Sequence, residues 1–204
     1  GGFERKNGTS GVLWMPLDFC GTENRSATGS GAASPPRGKC VFGLRNRCST
    51  EPGWSLSAPM RIAVIADTHD RFPATLPERL RGADEIWHLG DVCAPETLVE
   101  FEQLGKPLHV VLGNNDWHAA WPRALSLERG GTRFYLTHIP PGRPPAGVQV
   151  VLHGHTHVPR DELGPQARWL NPGCITRPNR GSPPSFAWLT IEKGHALRWE
   201  LERL

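Results

Sequence analysis

Three apolar runs between residues 61 and 112 all end on polar residues, and that repeated ending constrains the fold more than any other feature of this chain. Residues 61–66 run into Asp67-Thr68-His69, residues 85–89 into Gly90-Asp91, and residues 108–112 into Gly113-Asn114-Asn115-Asp116. Runs this short, bounded by turn residues, predict strands, and their near-continuous hydrophobicity predicts burial on both faces. Residues 76–80 and 97–104 between them carry helical spacing, the second opened by Pro95 and closed by Gly105. The order is therefore β-α-β-α-β, built on a largely buried sheet.

Further along, the pattern changes. Residues 133–137, 149–152, 168–170, 186–191 and 196–201 read as strands separated by Gly/Pro turns, with little helix between them. Two facing sheets with helices outside accommodate both halves, and roughly 145 residues suffice for such a core. Two of these later runs also end on ligand-type residues, at Thr137-His138 and Gly154-His155-Thr156-His157. Open α/β sheets bind ligands outside the carboxyl ends of their strands. Singly, an Asp after a strand is usually a cap, and a lone His is usually an ordinary surface or core side chain. Taken together, Asp67, His69, Asp91, Asn114, His138, His155 and His157 are instead the donor set that divalent cations require. His155 and His157 stand two apart, so an extended segment projects both to one side.

Composition bears on partners. The formal charge of +3 lies entirely in residues 1–59, which hold seven basic and four acidic residues; from Met60 onward the balance is 16 to 16, and all nine histidines lie there. A basic footprint for nucleic acid is thus not supported in the second part. Residues 1–59 lack helical and strand periodicity apart from the short apolar piece 12–19, and Met60 stands immediately before the first strand. The expected division is a low-complexity extension over 1–59, disordered or non-native, and one domain over 60–204. No apolar run approaches the roughly 20 residues of a membrane helix. The five cysteines, at 20, 40, 48, 93 and 174, form neither a C-x-x-C pair nor an even framework. A cytoplasmic protein with free thiols is expected, with no membrane partner and with homo-oligomerisation left open.

The D-x-H of 67–69, the GD of 90–91, the GN of 113–114, His138 and the GHTH of 154–157, in that order, resemble the calcineurin-like metallophosphoesterases. With Asn171-Pro172-Gly173 and the compact size, the likeness is to the small bacterial and archaeal phosphodiesterase branch; it covers nearly all of 60–204 and none of 1–59. The resemblance implies an α/β (α+β) fold, a four-layer αββα sandwich of two mixed sheets flanked by helices. It also implies a dinuclear centre, one metal held by Asp67, His69, Asp91 and His157 and the other by Asp91, Asn114, His138 and His155, with Asp91 bridging. Two divalent transition-metal ions are implied, manganese first, with nickel, iron or zinc as alternatives. Asp91 and Asn114 would serve catalysis through the ions, a metal-activated hydroxide attacking a small phosphate ester, foremost a diester. Arg177 and Arg180, shortly after Asn171-Pro172-Gly173-Cys174, are candidates to hold a phosphate oxygen, against the ordinary reading of solvated surface arginines.

Many family members carry GN followed by a His, which can protonate the leaving group, and then an acid; here the block is Gly113-Asn114-Asn115-Asp116, and Asn115 cannot act as a general acid. A positioned acid contributes about 10²- to 10⁴-fold, so slow turnover of poor leaving groups is expected. Ile139-Pro140-Pro141-Gly142 follows His138 where relatives commonly have His-Gly, so the shape of that loop is expected to differ. His153 is read as structural on the family pattern, and His88, His109, His118 and His195 as structural or surface residues. Cys93 is read as a small buried filler rather than a soft ligand. Trp117 and Trp121 suit either a leaving-group pocket or ordinary packing. The second functional reading is a protein-interaction scaffold of the same fold, which the retention of all seven ligand positions opposes.

Overall fold

The computed structural model describes residues 58–117, 120–192 and 196–204. The expectations for residues 1–57, including Cys20, Cys40 and Cys48, and for His118 and His195 lie outside the described residues. The chain passes through β1 (Met60–Ile65), α1 (Leu76–Leu80), β2 (Glu85–His88), a 3-10 turn (Pro95–Leu98) that continues into α2 (Val99–Glu102), and β3 (Leu108–Val110). Then come β4 (Ala124–Arg129), β5 (Thr132–Thr137), β6 (Val150–His153), β7 (Arg160–Leu163), β8 (Arg168–Asn171), β9 (Ser185–Ile191) and β10 (Leu197–Arg203).

Helical crossovers make β1, β2 and β3 parallel, β9 pairs antiparallel with β1, and β10 pairs antiparallel with β9, which completes a sheet ordered β10-β9-β1-β2-β3. The second sheet is ordered β4-β5-β6-β8-β7, with β5, β6 and β8 parallel and an antiparallel strand on each edge. Alternation along β1 assigns the layers. Ile62 and Val64 join Trp87, Phe134, Leu136, Val150 and Leu152 in a cluster drawn from both sheets. Ala63 and Ile65 face the other way, onto Leu76, Leu80, Leu98 and Phe101 of the helical layer. Each large side chain buried this way contributes about 1.5–3 kcal/mol.

The αββα expectation stands for the two packed mixed sheets and for the helical layer on the first of them. Among the described residues no helix covers the second sheet. Its parallel crossover from β5 to β6 is the loop 138–149, whose Pro140, Pro141, Pro144 and Pro145 exclude a helix. β4 and β7 were not expected from the sequence. β4 forms a hairpin with β5 across Gly130-Gly131, whose φ angles of 55° and 73° are the left-handed pair that a two-residue turn needs. β7 is a charged edge strand, Arg160 pairing with Glu162 and Asp161 with Arg168, so it carries no hydrophobic alternation.

At the amino end of β2 a polar clamp joins the sheets. Glu85, 7% exposed, accepts from Arg129 Nε of β4 at 2.8 Å and from Trp87 Nε1 at 2.8 Å, with His109 Nε2 of β3 at 3.4 Å. Burial alone would raise its pKa. The hydrogen bonds from His109, Arg129 and Trp87 outweigh burial and hold the carboxyl down at about 2.

Candidate metal centre

The polar strand ends meet at the carboxyl edge of the sheets. Backbone bonds zip the loop after β1 to the loop after β2: Asp67 N to Gly90 O (3.0 Å), His69 N to Asp91 O (2.9 Å) and Asp70 N to Val92 O (3.0 Å). Glycine lets the loop after β3 close on them. A Cβ on Gly113 would lie 2.1 Å from the Asp91 nitrogen, and one on Gly90 would lie 2.8 Å from the Gly113 nitrogen. Both obstacles are backbone and cannot swing aside, so GD and GN are the residue pairs of a close loop-to-loop approach. From the second sheet, Gly154 N donates to His138 O (3.1 Å) and His155 N to Asp67 Oδ1 (3.3 Å).

Five of the seven expected ligands have left-handed backbones: Asp67 (φ 58°), His69 (46°), Asp91 (56°), His155 (66°) and His157 (57°). Asp and His tolerate this region better than most side chains. Even so, non-glycine residues held there cost about 1–3 kcal/mol each and gather at functional sites. This corrects one expectation. The segment of His155 and His157 is not extended, and what aims the two rings is a pair of left-handed turns rather than strand alternation.

Two groups of donors result. Asp67, His69, Asp91 and His157 offer atoms that all lie within 4.8 Å of one another. His157 Nε2 stands 3.3 Å from Asp67 Oδ1 and 3.5 Å from His69 Nε2, which is 3.8 Å from Asp91 Oδ2. In the other group, Asn114 Oδ1 is 2.9 Å from His138 Nε2 and 2.8 Å from His155 Nδ1, and His138 Nε2 is 3.4 Å from Asp91 Oδ2. Donors bound at about 2.0–2.2 Å and at right angles around one ion lie about 3 Å apart.

The residues fit a cation on chemical grounds as well. His138 Nδ1 donates to the Leu89 carbonyl at 2.8 Å and His157 Nδ1 to the Arg177 carbonyl at 2.5 Å. Such bonds fix the tautomer of a ligating imidazole. With the proton on Nδ1, neutral His138 turns a lone pair onto the oxygens of Asn114 and Asp91, which only a positive charge can reconcile. Fully buried Asp67 adds an Oδ2 without a hydrogen-bond partner among the described residues, a costly state for a carboxylate oxygen.

Protonation follows the same electrostatics. At His138 burial works against the charged form, but the Asp91 hydrogen bond and the Asp67 charge prevail and raise its pKa. At His157 the hydrogen bond to Asp67 dominates and raises it, whereas at His69 burial prevails and lowers it. Burial opposes ionisation of Asp91, yet a hydrogen bond from His138 in its protonated form and two from Asn115 hold its carboxyl well below the usual range.

The neighbouring residues sort themselves by contact. Asn115 gives Asp91 two hydrogen bonds, backbone N to Oδ1 at 2.8 Å and amide Nδ2 to Oδ2 at 2.7 Å. Arg177 is exposed, its carbonyl holds His157, and its guanidinium is near enough to oppose protonation of His69. Arg180 is exposed at φ 51°, and its guanidinium makes no hydrogen bond or ion pair among the described residues. His153 is buried against Asn171 Nδ2 (3.2 Å) and the Gly154 carbonyl (3.0 Å). His88 accepts from Gly90 N at 3.2 Å, and burial pushes its pKa down to about 3, so it stays neutral. Cys93 is not the buried filler expected. It is partly exposed, with Sγ 3.7 Å from His69 Nδ1, and burial together with Asp70, Asp116 and Asp91 pushes the thiol up to about 11. Trp117, 91% exposed, is not packed, while Trp121 packs on the helical-layer cluster.

The sequence places Asp116 where family members carry an acid after the GN block but gives it no role. It is 8% exposed, and its carboxylate accepts the backbone N–H groups of Asp91 (3.0 Å), Gly113 (2.7 Å) and Cys93 (2.6 Å). The role could not be read, because which N–H groups it meets depends on the left-handed residues Asp91 and Cys93.

Two packed mixed sheets thus gather carboxylates, imidazoles and an amide at their strand ends, the donor set of a divalent-cation site. The family model for the calcineurin-like phosphoesterase superfamily domain matches residues 60–194, and the chain belongs to that family. A protein of Methanothermobacter thermautotrophicus named "Probable metallophosphoesterase" is 35% identical over 162 residues, 71% of this chain and 92% of that protein. Phosphodiesterase YfcE of Escherichia coli K12 is 30% identical over 165 residues, 64% of this chain and 87% of that protein. Among solved structures, wild-type Vps29 of Entamoeba histolytica complexed with zinc superposes with a TM-score of 0.58 at 23% identity, over 70% of this chain and 98% of that one, a likeness of fold. No helix among the described residues is long and apolar enough to cross a membrane.

Proposed function

We propose that this enzyme is a phosphodiesterase that holds two divalent transition-metal ions, manganese foremost, and cleaves small phosphate diesters. The observation that carries the reading is Asp91 Oδ2, 3.8 Å from His69 Nε2 and 3.4 Å from His138 Nε2, between the two donor groups. Asp67, His69, Asp91 and His157 would hold one ion, and Asp91, Asn114, His138 and His155 the other. When bound, such a pair lowers the pKa of a water and neutralises charge growing on the phosphoryl oxygens of an in-line displacement.

The chain's own residues prepare this site. The Leu89 and Arg177 carbonyls hold His138 and His157 in the ligating tautomer, and Asn115 keeps Asp91 ionised and oriented. Arg177, whose charge reaches His69, would steady a phosphate oxygen, with Arg180 as the further candidate. Asn115 donates hydrogen bonds but releases no proton, so good leaving groups are favoured. The likeness to a named phosphodiesterase supports the diester, and the family match supports residues 60–204 as the catalytic unit. Free Cys93 and Cys174 suit a reducing cytoplasm. The grouping of all seven donors favours hydrolysis over a scaffold role.

The test is hydrolysis of bis(p-nitrophenyl) phosphate and of a dialkyl phosphate by metal-stripped protein, before and after manganese, nickel, iron or zinc is returned. Activity is expected only with metal, and for the aryl diester far above the alkyl one. Equal rates in chelator and in manganese would refute the reading; preference for a monoester would refute the diester.

A further inference from the structure

Asp116 belongs to neither donor group, yet it touches the backbone of the loops that carry both Asp91 and Asn114. Its Oδ2 accepts from Asp91 N (3.0 Å) and Gly113 N (2.7 Å), and its Oδ1 accepts from Cys93 N (2.6 Å). Asp91 and Cys93 are both left-handed, at φ 56° and 74°. Their N–H groups, two residues apart, therefore turn to one side and form a concavity for an anion. The Asp116 carboxylate fills it, with charge-assisted bonds roughly twice as strong as neutral ones. The bond to Gly113 N closes the loop after β3 onto the loop after β2, where a Cβ on Gly113 would strike Asp91. Both loops are thereby referred to one carboxylate.

We infer that Asp116 is a positioning residue for the ion held by Asp91, Asn114, His138 and His155. The inference rests on the two-ion reading above. Two of those four donors, Asp91 and Asn114, sit on the backbone that Asp116 ties together. The other ion keeps Asp67, His69 and His157, none of which bonds residues 113–116 among the described residues. Loss of Asp116 therefore strikes the two sites unequally, whereas a merely structural role would weaken both alike.

Asp116→Asn keeps the shape but turns an NH₂ group toward backbone N–H donors, and Asp116→Ala removes the acceptor altogether. Manganese binding followed by electron paramagnetic resonance on wild type and both variants tests the inference. Wild type is expected to bind two ions and give the spectrum of an exchange-coupled pair. In the variants the first ion should bind within about threefold of wild type and the second about 10- to 100-fold more weakly, the usual consequence of losing an outer hydrogen-bond partner. At two equivalents of manganese the coupled spectrum should give way to that of isolated ions, with circular dichroism of the metal-free protein unchanged. Equal weakening of both ions, an unchanged coupled spectrum, or failure of both variants to fold would overturn the inference. Should only Asp116→Ala fail to fold, Asp116→Asn decides. A wild type that binds fewer than two ions would overturn the two-ion reading itself, a failure visible before any variant is made.

Discussion

Replacing Glu85 by Gln tests whether the clamp at the amino end of β2 holds the two sheets by charge. In the folded chain its carboxyl is held at about 2, against an ordinary value of 4.5 that applies when the chain unfolds. A carboxyl depressed by folding stabilises the fold above its unfolded pKa, and that contribution disappears as the pH falls from about 4.5 to about 2. A shift of two to three units at about 1.4 kcal/mol per unit amounts to about 3 kcal/mol. Gln keeps the shape but not the charge, leaving the Arg129 guanidinium, 25% exposed, opposite a neutral amide. The variant is therefore expected to be less stable than wild type by about 3 kcal/mol at pH 7, with the gap closing as the pH approaches 2. Urea unfolding of both proteins in chelator, at several pH values from 7 downward, measures this. Chelator removes the contribution of metal binding, and Asp91, also depressed, is common to both proteins and cancels. Glu85 opens β2 and the Asp91 loop leaves its opposite end, beyond His88, roughly 10 Å of strand away, so the hydrolytic rate of the folded variant at pH 7 should match wild type. A gap that does not depend on pH, or no gap at pH 7, would refute the reasoning.

Two further outcomes are expected. Asp91→Asn should lose activity by orders of magnitude with the fold intact, while His153→Ala should be mild, because Asp91 faces both donor groups and His153 contacts Asn171 and the Gly154 carbonyl instead; comparable damage in kcat would show the histidines wrongly assigned. A chain beginning at Met60 should keep its metal content and rate, since the family match starts there and every candidate ligand lies at 67 or beyond; loss of metal or solubility would place the boundary elsewhere.

The parts of the fold legible in the sequence are those written in local hydrophobicity. β2 and β9 are buried throughout and β1 from Ile62 onward, so their apolar runs announce them. β7 escapes because an edge strand of Arg160, Asp161, Glu162 and Leu163 has no buried face to advertise. β4 was announced only by Gly130-Gly131, a hairpin signal whose partner strand is half-exposed. The donors could be read because each lies within four residues of a strand's carboxyl end. Asp116 and the Glu85 clamp could not, since their partners are backbone groups or side chains brought near by loop conformation and sheet packing.

At Asp67, Asp91 and His157 the backbone asks for glycine while the chemistry asks for a ligand. Glycine enters the left-handed region without the strain other residues incur. A glycine at any of the three would relieve the backbone and remove a donor, so here the stability of the metal-free fold and its hold on a cation pull in opposite directions.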